Sequence, residues 1–106
     1  ILGGIAGLLA IAQDADLQNR HGGYKTLLIA PPPIVVTGYL SAAFYGADRL
    51  SEQLGGLYSE IATHRGVEFF DAGKVIETSP VDGVHFEDEA HQTLGTALAR
   101  KITTIM

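Results

Sequence analysis

The chain has 106 residues, 46% of them hydrophobic, and a formal net charge of −5. Its seven Lys and Arg residues are scattered, which excludes a basic face for nucleic acid and a polybasic segment for a membrane surface. It has no cysteine, so disulfide scaffolds, thiol catalysis and cysteine-ligated zinc are excluded as well. The length fits one domain or part of one, and the apolar content is too high for a disordered chain.

The chain opens Ile1-Leu2-Gly3-Gly4-Ile5-Ala6-Gly7-Leu8-Leu9-Ala10-Ile11, without an initiator Met. This run is shorter than the roughly 20 apolar residues of a membrane span. It has no basic residues ahead of it, as a signal peptide would. It reads as a helix entered part-way, over residues 1–20, as expected of a chain that begins inside a larger domain. Ile1, Ile5, Leu8, Leu9 and Ala12 share one face at helical spacing. Gly22-Gly23 end the helix.

Thr26 to Ala30 is a continuous apolar run without alternation, the pattern of a strand covered on both faces of a parallel sheet. Pro31-Pro32-Pro33 end it, because proline cannot donate to a ladder. Residues 34–45 form an irregular apolar connection carrying Tyr39, Leu40, Phe44 and Tyr45. Ligands of α/β sheets bind just past the carboxyl ends of strands, although such a loop can equally pack its aromatics on the core or on a partner subunit.

A second helix is expected over residues 47–65, with Leu50, Leu54, Leu57, Tyr58 and Ile61 as its apolar stripe, Asp48 at its start and Gly66 as its stop. A second strand follows over Val67 to Asp71. The last helix is expected over residues 86–105. Glu87, Asp88 and Glu89 lie in its first turn, where the dipole favours negative charge. Ala90, Leu94, Ala97, Leu98 and Ile102 form its buried stripe. The strand–helix–strand unit implies a right-handed crossover and parallel pairing. Two strands this apolar predict further strands and another helix layer around them.

Between the second strand and the last helix stands Ser79-Pro80-Val81-Asp82-Gly83-Val84-His85-Phe86. A carboxylate three residues before a histidine can fix the imidazole tautomer and stabilise the imidazolium, leaving the other ring nitrogen to accept a proton from a nucleophile. Gly83 lets the turn bend tightly. An Asp-x-x-His pair before a helix is also a common cap or surface arrangement. Its place at the carboxyl edge of a parallel sheet favours a site.

Other polar residues read as structural. The spacing of His91 from His85 makes no H-E-x-x-H zinc pattern. His64 falls at a helix end, where a cation suits the dipole, and His21 adjoins Gly22-Gly23. The acidic run 87–89 lacks the alternating ligand spacing of a calcium loop. Ser41, Ser51, Ser59 and Ser79 lie outside any G-x-S-x-G elbow. Gly22-Gly23 and Gly55-Gly56 fit neither phosphate-loop pattern.

The blocks Leu27-Leu28-Ile29-Ala30-Pro31-Pro32-Pro33, Phe44-Tyr45-Gly46-Ala47, Phe69-Phe70-Asp71-Ala72-Gly73 and Ser79 to Phe86 with Glu89-Ala90-His91 together resemble the C-terminal half of an SGNH (GDSL-type) hydrolase. The bacterial arylesterase and acyltransferase branch is the most similar. The resemblance implies a three-layer α/β/α, flavodoxin-like domain, here represented by two parallel strands and three helices. Residues 1–106 would be the C-terminal portion of that single domain. It implies a Ser–His–Asp triad that hydrolyses or transfers acyl groups of small esters, with no metal and no organic cofactor. Asp82 and His85 match the family's last block, Asp82 orienting His85 as general base and then general acid. Val84, directly before the histidine, would line the acyl pocket.

The family's serine, in its G-D-S block, and its oxyanion-hole glycine and asparagine have no match here. The implied partners are therefore a small ester substrate and the N-terminal half of the same domain, with neither nucleic acid nor membrane, and a homo-oligomer is a further possibility. The segment alone would be inactive. The alternative reading is a non-catalytic interaction module that binds a partner through an open strand edge and the aromatic loop 34–45.

Overall fold

The computed structural model describes residues 2–106; Ile1, expected on the first helix, lies outside the described residues. Strands β1 (Leu27–Ala30) and β2 (Glu68–Asp71) pair in parallel, Leu27 against Glu68 through Ala30 against Asp71. Both strands therefore end at the same edge of the sheet, and both following loops gather there.

One face of this sheet holds the core. Leu28 and Ala30 of β1 turn inward with Leu9, Tyr58 and Ala62, and Phe69 of β2 packs against the same cluster. Leu9 comes from α1 (Leu2–Ala12), while Tyr58 and Ala62 come from α4 (Leu54–Arg65). Alternation along a strand sends Glu68 to the opposite face. There Lys101 of α5 (Asp88–Ile105) reaches it at 3.6 Å. Helices thus lie on both faces, the layered α/β arrangement expected. The α5 side is thinly covered: Ile29 is 39% exposed, although its apolar character predicted cover on both faces.

Two of the three expected helices are each divided, so the described residues form five α-helical segments where three were expected. The first breaks after Ala12, where Asp14 takes up an extended conformation and accepts the Leu17 N–H at 3.1 Å. That side-chain cap starts α2 (Ala15–Arg20). The second breaks at Gln53, between α3 (Ala47–Glu52) and α4. Here the Gln53 N–H bonds back to Leu50 at 3.3 Å, a tighter i→i+3 closure. Leu50 is thereby taken out of the expected stripe and is 69% exposed, while Tyr58 and Ala62 carry the burial. Gly66, at φ 69°, ends α4 as expected, with the Val67 N–H returning to Ala62.

The last helix also departs from expectation. It begins at Asp88, because Glu87 is extended. Its stripe is only half-buried at Ala90, Leu94, Ala97 and Leu98, and Ile102 is exposed.

Candidate functional site

Asp82 and His85 sit in a closed loop at the edge where both strands end. Ser79 closes it from within. The Ser79 N–H donates to the His85 carbonyl at 2.7 Å, and the Ser79 carbonyl accepts from the Gly83 N–H at 2.7 Å. The Ser79 hydroxyl accepts from the Val81 N–H at 3.1 Å and donates to the Glu87 carboxylate.

The loop after β1 braces this turn from outside. The Val35 N–H donates to the Gly83 carbonyl at 2.9 Å. Gly83, at φ +74°, has its missing Cβ position occupied by the Val35 carbonyl oxygen, and Gly38, at φ +68°, has its own occupied by the Val81 carbonyl oxygen. Only glycine fits at either place, for conformation and for space.

Within the loop, the Asp82 carboxylate is buried and fully engaged. Oδ1 accepts the N–H groups of Val84 at 2.8 Å and His85 at 2.9 Å. Oδ2 meets His85 Nδ1 at 2.7 Å. These bonds favour the anion. The Val84 and His85 amides, then the His85 ring, hold its pKa at about 2, below its ordinary 3.8. A carboxylate that stays ionised makes Nδ1 the protonated nitrogen of the neutral ring. The His85 side chain is 70% exposed, and no described residue bonds its Nε2. The pair is thus a fixed anion, an oriented imidazole and an open basic nitrogen.

The other candidates fall elsewhere. Val84 is half-buried and contributes its amide to Asp82. His91 packs its ring against Phe86 at 5.4 Å, His64 is in the last turn of α4 and His21 follows α2. Ser51 is buried and accepts the Ile34 N–H at 2.8 Å, anchoring the loop after β1. No described serine hydroxyl bonds to His85. Tyr39 and Tyr45 are 74% and 89% exposed rather than packed on the core. Glu87, expected as helix-start charge, instead holds Ser79. A cavity of about 460 Å³ opens beside the loop, lined in part by Val35, Ile76, Thr78 and Ser79.

A protein of Agrobacterium tumefaciens assigned as an arylesterase superposes with a TM-score of 0.87 and 36% identity, over 99% of this chain and 50% of its own. The native aryl esterase of M. smegmatis gives 0.71 and 36%, over 77% of this chain and 39% of its own. The chain is similar in fold and sequence to these esterases. A carbohydrate acetylesterase of Sinorhizobium meliloti agrees, with a TM-score of 0.72 and 36% identity over 77% of this chain and 39% of its own. The chain spans about half or less of the length of those esterases. No protein-family profile and no curated protein matches it.

Proposed function

We propose that the chain supplies the acid/base half of a serine esterase, with Asp82 and His85 completing a Ser–His–Asp triad whose serine lies in the other half of the same domain. One observation carries this: the buried, ionised Asp82 fixes His85 through Nδ1 and leaves Nε2 open to solvent. The similarity to longer esterase chains supports it.

In this reading, Nε2 accepts the serine hydroxyl proton as the serine oxygen attacks the ester carbonyl. The imidazolium then gives that proton to the departing alcohol, leaving an acyl-serine. Water, or a second alcohol, loses its proton to Nε2 and attacks the acyl group, giving acid or a new ester, and the proton returns to the serine. Asp82 remains an anion throughout and stabilises the imidazolium. Val84, immediately before the base, lines the acyl side of the site.

The other half of the domain covers Ile29 and pairs with the open edge of the sheet. The segment of 106 residues alone does not turn over a short-chain aryl ester. In the complete protein, His85→Ala lowers kcat by several powers of ten. Wild-type turnover in that variant removes His85 from the mechanism. Robust turnover by the isolated segment, abolished by the same substitution, overturns the division of the triad.

The exposed Tyr39, Tyr45 and Ile29 also fit an interaction module. Fluorophosphonate labelling of a serine in the source protein favours the enzyme. A defined oligomer of the unlabelled chain favours the module.

A further inference from the structure

We infer that Glu87 and Ser79 form a clasp that positions His85, so that an exposed carboxylate outside the triad sets the aim of its base. The inference rests on the proposed role of His85.

Glu87 is the last extended residue before α5, and its carbonyl accepts the His91 N–H at 3.2 Å, which starts the helix. Its carboxylate accepts the hydroxyl of Ser79, which is only 4% exposed. Ser79 in turn donates its N–H to the His85 carbonyl and accepts the Gly83 N–H, both at 2.7 Å. His85 therefore lies on a ring of backbone whose two ends, residues 79 and 87, are tied side chain to side chain.

Asp82 alone orients the imidazole relative to the loop. The clasp orients the loop relative to α5. The second restraint matters because the base must meet a serine carried by another element. A misplacement of about 1 Å in such a pair can cost roughly a hundredfold.

The test uses the complete protein, with p-nitrophenyl acetate as probe. Ser79→Ala keeps both backbone bonds and removes the hydroxyl, with its bonds to Glu87 and to the Val81 N–H, whereas the Glu87 variants leave the Val81 bond in place. Glu87→Ala removes the acceptor, and Glu87→Gln retains it. The expected result is a loss in kcat of roughly tenfold to a hundredfold for both alanine variants, at unchanged KM and with the fold intact by circular dichroism. Glu87→Gln stays within a few-fold of the parent, on the order of a single hydrogen bond's worth.

Alanine variants within twofold of the parent, or a Gln variant as impaired as Ala, overturn the clasp. The proton NMR signal of His85 Nδ1–H separates this from the site itself. If His85→Ala stays active, the triad reading falls. The clasp is then judged on that signal alone, supported by broadening in Ser79→Ala and overturned by an unchanged resonance.

Discussion

Replacing Gly83 with alanine tests whether the two post-strand loops are joined as described. Two effects add. The residue sits at φ +74°, where a side chain costs about 1–2 kcal/mol. The new methyl also falls on the Val35 carbonyl oxygen, with the carbonyl carbon only 2.6 Å away. Backbone cannot yield there without breaking the bond from the Val35 N–H to the Gly83 carbonyl, a further loss of about 0.5–1.5 kcal/mol. The expected total is about 1.5–3.5 kcal/mol, which lowers the melting temperature by on the order of 5–15 °C for a chain of this size. Gly22→Ala is the matched control. Its φ is +72°, and nothing lies within 4 Å of the added Cβ. It therefore reports the conformational cost alone, about 1–2 kcal/mol. Thermal and urea unfolding of both variants give the difference. A Gly83→Ala variant no less stable than Gly22→Ala refutes the close approach of Val35.

The remaining predictions concern charge and packing. The Asp82 pKa is depressed from 3.8 to about 2, so its contribution to stability is complete above the unfolded value and disappears as pH falls through the folded one. Urea midpoints of the parent and of Asp82→Asn should therefore converge between pH 4 and pH 2; a constant gap contradicts the assigned bonds. Ala62→Leu places a larger side chain where only 1% of the residue is exposed, against the sheet. Overpacking there should cost about 1–3 kcal/mol in urea unfolding. Lys101→Ala removes a partly exposed 3.6 Å pair with Glu68 and should change stability by about 0–1 kcal/mol, less at high salt.

Local patterns made much of this fold legible. The apolar runs at β1 and β2, the prolines after β1 and the stop at Gly66 each have a nearby cause, and each lies within a residue or two of its expected place. The Asp82–His85 contact was legible for the same reason, since three residues separate its partners and Gly83 marks the turn.

Contacts set by distant residues were not legible. Gly38 is pinned by Val81 and Gly83 by Val35, pairings that no spacing rule encodes. The break at Gln53 carries no proline or glycine of its own. Asp14 did carry a signal, an N-cap residue before a fresh helical turn, but the apolar periodicity around it reads through the break. Glu87 reads as dipole charge because acidic residues at a helix start ordinarily serve that end. Its commitment to Ser79 depends on how the loop closes.

The joint between the loops has a consequence for redesign. At both crossings the touching atoms are a glycine and a main-chain carbonyl, so the identity of the residue supplying the carbonyl is immaterial. Val35 and Val81 supply them, and the two residues are 53% and 63% exposed. Positions 35 and 81 can therefore be randomised together, altering the shape and polarity of the rim around His85 while the scaffold beneath stays in register. The two glycines are the pair that such a library leaves alone.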